Sequence, residues 1–365
     1  MRRILHIIGS LPHTGTVKQL LLLTQGLAVR GFDVHVASLD SGGTAVGDFC
    51  AAGIPVTQLG RRWPIDPIAF LRFERLLFQL RPDCVHTWDF DAGIHGRIAA
   101  RMGGVRHFIA GHHRLIRCTG KLAWFIERRL APMTDRLIVS SSCVREWYTQ
   151  HGLPADKLLV IAPGMPEAPA SDRSRTELLD ELKLPRDARL IGVVGTLAPE
   201  NRVNDLIWAA DLLRVLHGNL RVLIIGDGPL RAQLREYARL ASDLQHIQFL
   251  GDRSDTWQIM PHLDVLWNAR ENVSLAGSIL EAMAAGVPVV ASDTPFNREL
   301  VVENKTGYLI PLGTRAGRAA RARLTDRILT DPDLATRLSA AARRRVAEHF
   351  RLEQMVQRHC ELYGI

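Results

Sequence analysis

The chain has 365 residues, more than one hydrophobic core usually serves, because single cores stop growing at roughly 250–300 residues; two domains are expected. Hydrophobic residues make up 47% of it and charged residues 23%, and the mean hydropathy is near zero, which excludes both a disordered chain and a membrane bundle. Lys and Arg outnumber Asp and Glu by 46 to 38, a formal +8 that favours anionic partners without choosing among nucleic acid, lipid head groups and phosphorylated metabolites.

At the start, Ile4–Ile8 behind Met1-Arg2-Arg3 has the look of a signal peptide, but Gly9 and Pro12 end the apolar run and no small-residue cleavage site follows, so a first buried strand is expected. No window approaches the roughly 18 apolar residues of a membrane span. The five cysteines, Cys50, Cys84, Cys118, Cys143 and Cys360, form no Cys-x-x-Cys pair and no zinc-finger spacing, so core thiols in a reducing cytoplasm are expected, with no disulfide framework and no metal site.

Short β-rich runs then alternate with longer helical patterns, the signature of parallel strands joined by crossover helices. Strands are predicted at Ile4–Ile8, Asp33–Leu39, Cys84–Thr87, Phe108–Ala110, Arg136–Val139 and Leu158–Ile161, and helices at Lys18–Val29, Pro67–Leu80, Asp91–Met102, Gly120–Ala131 and Ser141–His151. Residues 165–187 have the composition of a linker around a short helix, Thr176–Leu182. The alternation restarts with strands at Leu190–Val194, Arg221–Ile225, Ile247–Leu250, Val265–Asn268, Val287–Ala291 and Gly307–Ile310. Their helices are Val203–Leu216, Pro229–Ala241, Ala276–Ala285 and Arg315–Leu329, followed by Leu334–His349 and an amphipathic Leu352–Tyr363. The domains expected are therefore 1–164, a linker at 165–187, 188–349, and a terminal helix at 350–365 that crosses back onto the first domain. Two tandem doubly wound units imply a ligand at the carboxyl ends of their strands, in a cleft between them.

Two segments invite chemistry. Leu223-Ile224-Ile225-Gly226-Asp227-Gly228-Pro229 is a buried strand, a glycine turn and a helix start, where free amides suit phosphate; it is also readable as a tight βα turn. It lacks the third glycine of a dinucleotide fingerprint, with Arg231 in its place, which disfavours a nicotinamide dehydrogenase. In Ser278-Ile279-Leu280-Glu281-Ala282-Met283, the carboxylate of Glu281 needs donors, which either a sugar diol or the protein itself would supply.

These runs, with Gly286-Val287-Pro288-Val289-Val290-Ala291, Asn297-Arg298-Glu299-Leu300-Val301 and Thr306-Gly307-Tyr308-Leu309-Ile310-Pro311, resemble in order and spacing the retaining, family-four "glycosyl transferases group 1". The resemblance is collinear along nearly the whole chain. It implies a GT-B fold, α/β with two facing doubly wound Rossmann-like domains and a C-terminal crossover helix. The second domain would bind a nucleotide sugar as co-substrate, without an obligatory metal or cofactor, and the first would bind the acceptor. Carried over by position, Glu281 would hold the ribose, with Ser278, Ile279 and Leu280 in the same donor-binding run. Gly195, Thr196, Gly226, Asp227 and Gly228 would form the turns beside the donor, and the loop with Gly251 and Arg253 would lie near the base. Gly15 and His86 fall on the acceptor side, and either His112 or His113 matches the histidine near the transferred sugar; a lone histidine reads equally as a core or surface residue.

Departures from the family pattern are as informative. The Arg and Lys that usually stabilise the leaving diphosphate are replaced by Thr196 and Asn201, leaving Arg202 as the adjacent cation. Losing two such donors without replacement, each worth about a hundredfold in rate, would nearly silence catalysis. Val273 stands where the family's second glutamate is expected, with Glu271 two residues earlier, and the first loop keeps only Gly15 where two adjacent glycines are usual. The expectation is a glycosyltransferase with Arg202, Glu271, His112 and His113 as catalytic candidates. The alternatives are a catalytically weak or inactive binding protein on the same scaffold and a nucleotide-sugar epimerase-like or phosphorylase-like enzyme.

Between Arg97 and Arg145 ten Lys or Arg face only Glu127 and Asp135. Within this stretch Lys121–Leu130 places Leu122, Phe125, Ile126 and Leu130 on one side, which reads either as peripheral docking on anionic lipid at the inner membrane face or as a packed amphipathic helix with solvated charges. No helix-turn-helix, zinc-finger or aromatic RNA-binding signature accompanies the charge, so nucleic acid is set aside.

Overall fold

The computed structural model describes residues 2–64, 66–113, 120–167, 172–241, 246–271 and 277–364. The chain divides into two compact units, 1–164 with 352–365, and 165–351.

The first unit runs β1 (Arg3–Ile8), α1 (Gly15–Val29), β2 (Asp33–Ser38), α2 (Val46–Ala51), β3 (Val56–Gln58), α3 (Pro67–Leu80), β4 (Cys84–Thr87), α4 (Phe90–Met102), β5 (His107–His112), α5 (Gly120–Leu130), β6 (Arg136–Val139), α6 (Ser142–Gln150) and β7 (Leu158–Val160). Its seven strands are all parallel, in the order β3-β2-β1-β4-β5-β6-β7. Strand order reverses direction at β1, whose neighbours are β2 and β4. Polar side chains start the helices where the sequence supplies them: Thr14, Asp66, Asp89 and Ser141 accept backbone amides of the first turns of α1, α3, α4 and α6.

The second unit runs α7 (Arg175–Glu181), β8 (Arg189–Val194), α8 (Val203–Arg214), β9 (Leu220–Ile225), α9 (Arg231–Ala241), β10 (Ile247–Gly251), α10 (Thr256–Ile259), β11 (Val265–Asn268), α11 (Gly277–Ala285), β12 (Val289–Ser292), α12 (Pro295–Leu300), β13 (Gly307–Ile310), α13 (Arg315–Thr330) and α14 (Pro332–His349). Its six parallel strands are ordered β10-β9-β8-β11-β12-β13, with the reversal at β8. The stretch 165–187 packs into this unit. Ser174 and Glu177 form a reciprocal capping box, Leu178 and Leu179 are buried, and Arg175 donates to Asp264 at 2.8 Å.

The last helix, α15 (Leu352–Leu362), belongs to the first unit. It lies so close to α1 that a Cβ on Gly26 would stand 2.6 Å from a Val356 methyl, so glycine is what permits the approach. Met355, Val356, Cys360 and Tyr363 complete the core there, and Arg30 pairs with Glu353 at the rim.

Candidate functional site

In an open parallel sheet ligands sit outside the strand carboxyl ends where strand order reverses. In the second unit that place lies between β8 and β11, and a small pocket opens there, lined among others by Val193, Gly195, Thr196, Asn201, Asn268 and Arg270. Three turns are laced together behind it by backbone hydrogen bonds: Gly195 N to Ile225 O at 3.0 Å, Leu197 N to Asp227 O at 2.9 Å, and Gly226 N to Gly251 O at 2.7 Å. This lacing explains the glycines. Gly226 has φ +132°, and a Cβ on it would fall 2.1 Å from Gly195 O; one on Gly228 would fall 2.6 Å from Leu197 O. The glycine run therefore lets protein backbone approach protein backbone, which is the tight βα turn reading of that segment. Helix α9 begins at Arg231, two residues later than expected, and Arg231 pairs with Asp227 at 2.6 Å.

Arg202 and Glu271, chosen separately from the sequence, meet: Arg202 Nη1 donates to Glu271 Oε1 at 3.0 Å, while its Nε donates to Asp205 at 2.7 Å. These two carboxylates raise the Arg202 pKa further. Asp205 is buried and also pairs with Arg318 at 2.8 Å. Nearby, fully buried Arg321 donates to Val290 O at 2.6 Å and Asn268 O at 3.1 Å, tying α13 to the ends of β11 and β12. Burial pulls its pKa down to about 9 against the pull of Asp205. Asn201, in the position expected to carry a cation, turns its amide onto Thr196 O at 2.5 Å and so braces the pocket loop.

The other donor candidates are distributed around this crevice. Gly251 takes φ +74°. Arg253 chelates Asp255 at 2.7 and 2.5 Å and reaches Glu181 at 2.8 Å, within a four-residue ion network that includes Arg173. Its guanidinium is thus a structural tie between the loop and α7. On α11, Ile279 and Leu280 are completely buried, so their side chains belong to the core; Ser278 and Glu281 stay partly accessible. Val273 lies outside the described residues. Arg270, Asn268, Asp205 and Arg321 were missed by sequence reasoning. Arg270 had a usable signal, since it stands two residues beyond a predicted strand's carboxyl end.

In the first unit the two neighbouring histidines take different environments. His112 ends β5, is 2% exposed, stacks on Tyr148 and donates from Nε2 to Glu127 at 3.0 Å. Glu127 in turn receives both arms of buried Arg97, at 2.9 and 2.6 Å. Burial alone would raise the Glu127 pKa, but His112 and Arg97 outweigh it and hold the carboxyl down to about 2. His112 is thus a member of a buried ion cluster with Glu127 and Arg97. His113 is the more open of the pair; it stacks on Trp88 at 4.7 Å with Nε2 unpartnered.

His86 is completely buried, hydrogen-bonded to Tyr363 Oη at 2.7 Å and stacked on Trp88 and His359. Beside it Trp88 Nε1 donates to His6 Nδ1 at 3.1 Å, and His359 Nδ1 donates to Met355 O at 2.8 Å. Burial and the neighbouring imidazoles push His86 well below its ordinary value, and His6 and His113 down to about 3. His359 is lowered to about 4, chiefly by burial. Among the described residues no group of three or more His, Cys, Asp or Glu is arranged to hold a metal ion. Gly15 opens α1 in open space. On α5, Glu127 is buried, Trp124 lies against Trp147, and Arg129 stands 5.0 Å over the ring of exposed Phe125.

A parallel-sheet unit with a laced glycine-turn crevice at its switch point defines a doubly wound nucleotide-binding class. Residues 13–168 match the Glycosyltransferase Family 4 description and residues 174–345 that of Glycosyl transferases group 1. An Escherichia coli UDP-Gal:alpha-D-GlcNAc-diphosphoundecaprenol alpha-1,3-galactosyltransferase is 30% identical over 270 residues, 68% of this chain and 67% of that protein. A GDP-mannose-dependent alpha-mannosyltransferase of Mycobacterium tuberculosis is 30% identical over 197 residues, 53% of this chain and 49% of its own length, so the match spans about half of that relative. In three dimensions, Anabaena HepE in complex with UDP-glucose superposes with TM-score 0.88 at 18% identity, covering 99% of each chain. Sucrose-phosphate synthase of Thermosynechococcus elongatus gives 0.81 at 19% identity, over 100% of this chain and 98% of that one. The chain belongs to the family-four, group 1 glycosyltransferases, and its fold is GT-B.

Proposed function

We propose that this protein is a metal-independent, retaining glycosyltransferase that moves a sugar from a uridine or guanosine diphosphate sugar to a glycan, lipid or small acceptor. Its place would be the cytoplasm, in peripheral contact with a membrane. The observation that carries the reading is the crevice between β8 and β11, where Gly195 and Thr196 present exposed backbone beside Arg270. The bases are those in the names of the relative and neighbour just described: GDP-mannose for one and UDP-glucose for the other.

When the bond between the sugar and the diphosphate breaks, negative charge grows on the departing oxygen and must meet preorganised donors. Arg270 is the guanidinium lining the crevice, with Arg202 next along the Asn201 loop. In this reading they take over from the cations absent at Thr196 and Asn201. Glu281 holds the ribose hydroxyls, and Glu271 orients Arg202 as well as the sugar. The Gly251–Arg253 loop supplies backbone contacts to the base, and His113 lines the acceptor side.

One observation favours a second reading, a nucleotide- or glycan-binding protein without turnover: the Arg202 guanidinium is already engaged by Asp205 and Glu271. Calorimetric titration with uridine, guanosine and adenosine diphosphate sugars, combined with measurement of donor hydrolysis and transfer, separates the two. Binding with turnover is expected, with Arg270→Ala lowering turnover about a hundredfold and Glu281→Ala weakening donor binding. Binding without turnover selects the second reading. Unchanged kinetics in both variants would show the residue roles to be wrong.

A further inference from the structure

We propose that Glu271 occupies the place of the donor's diphosphate on Arg202 and yields it when the donor binds, a step that rests on the transferase reading and deepens it. Asn201 and Arg270 line the crevice from two different loops, and Arg202 and Glu271 are the next residues on each. Their side chains meet, Arg202 Nη1 donating to Glu271 Oε1 at 3.0 Å. One of the protein's own carboxylates therefore sits on a cation at the edge of the pocket, where an anionic ligand would meet it.

The backbone of Arg202 is unusual for its residue type. It has φ +45° and ψ +42° at the start of α8, a left-handed conformation that suits glycine and strains an arginine. The side chain is held by two carboxylates of unequal freedom. Arg202 Nε donates to Asp205 at 2.7 Å, and the Asp205 side chain is 7% exposed and also pairs with Arg318 at 2.8 Å. The Glu271 side chain is 44% exposed. Withdrawing a buried carboxylate from its cations leaves charge uncompensated, whereas a half-exposed one passes into water by rotating its side chain. Asp205 is thus the fixed partner and Glu271 the exchangeable one. The loops keep their places during the exchange, because Glu271 N donates to Glu200 O at 2.8 Å and Ser292 Oγ to Arg270 O at 2.8 Å. With Nε kept by Asp205, the Nη edge of the guanidinium is a fork that takes two phosphate oxygens. Bare backbone lies against that edge, since a Cβ on Gly313 would stand 3.1 Å from Nη2. The displaced carboxylate is then available to accept from the sugar hydroxyls assigned to it above. The engagement of Arg202 that favoured a protein without turnover becomes the resting state of an active one.

The test is calorimetric titration of the full chain and of Glu271→Gln with uridine and guanosine diphosphates, with uridine and guanosine, and with inorganic pyrophosphate. Glu271→Gln keeps the shape of a half-exposed side chain and removes its charge, so circular dichroism should show the native fold. The diphosphate probes should bind about three- to fivefold more tightly, the size of a partly exposed ion pair, with nucleoside affinity unchanged and the gain shrinking at high salt. The gain should vanish in an Arg202→Gly background, whose backbone conformation glycine accepts and which has no guanidinium to release. Equal or weaker diphosphate binding by Glu271→Gln overturns the proposal. So does a gain that persists in the Arg202→Gly background, which would make Glu271 a source of general repulsion only. Donor turnover is measured in parallel: its absence with the gain retained would sink the transferase reading alone, and turnover without the gain would sink the exchange alone. No binding of any diphosphate probe by either chain overturns both.

Discussion

Acid should unfold the first unit well before it unfolds ordinary domains of this size. His6, His86 and His359 are at most 2% exposed, and burial holds all three below the ordinary imidazole pKa of 6.5, His6 at about 3 and His359 at about 4. Their surroundings are Trp88, Tyr363 and one another, with His113 adjoining, so no carboxylate in these ring contacts compensates a proton. A depressed folded-state pKa means that the unfolded chain binds protons first. The stabilisation is therefore complete above about pH 6.5 and is lost as pH falls toward 4 and 3. At about pH 5 the unfolded imidazoles of His6, His113 and His359 each gain about 2 kcal/mol from protonation that their folded counterparts, at about 3, 3 and 4, do not, so these three remove about 6 kcal/mol, comparable with the whole stability of many domains, and His86 acts in the same direction. Hydrogen exchange of the β1 and β4 amides, followed between pH 7.5 and 5, reads this unit by itself. Its opening free energy should fall by about 4 kcal/mol per pH unit or more, and His359→Gln should take about 1.4 kcal/mol per pH unit off that slope. A slope below about 1.4 kcal/mol per pH unit, less than one proton, would refute the reasoning.

Three further outcomes follow from contacts in the same structure. Gly226→Ala, whose Cβ would meet Gly195 O at 2.1 Å, should cost about 3 kcal/mol or more and abolish nucleotide-sugar binding; Gly15→Ala, which meets nothing within 4 Å, should stay within about 0.5 kcal/mol. Thermal melts and calorimetry check both. Glu127→Gln leaves Arg97 charged and buried without its ionic partner and should cost about 3–5 kcal/mol, whereas His112→Gln should lower stability and leave turnover of the folded fraction near wild type. A large loss of turnover in stable His112→Gln would return that histidine to the reacting centre. Tyr363→Phe strips His86 Nδ1 of its 2.7 Å partner and should cost about 1–3 kcal/mol in urea titrations, loosening α15 without changing donor affinity.

The order of strands and helices was readable from the chain because burial on both faces of a parallel sheet demands apolar runs, as in Ile4–Ile8 and Leu223–Ile225, and crossover helices demand a 3.6-residue period. What escaped was short: β3 is a three-residue, half-exposed edge strand, and α2, α10 and α12 are each six residues or fewer, too brief for periodicity to show. The glycine turn after β9 was legible as a turn, but not what it approaches. Gly195 lies 31 positions away from Gly226, and only the parallel pairing of β8 with β9 brings the two together.

By itself, then, the sequence determined the two βα series, the glycine turns, the helix caps and the family, since each depends on neighbours along the chain or on the order of motifs. The tertiary structure decided how the charges are used. Arg202 is claimed by Asp205 and Glu271, and His112 by Glu127, which Arg97 also grips; His86 is enclosed by Trp88, His359 and Tyr363. Most of these partners come from distant strands and helices. Whether a charged or titratable side chain meets a ligand or another residue is set by the three-dimensional packing of those elements, and that packing buried His86 and His112 among other side chains while placing Arg270 in the crevice.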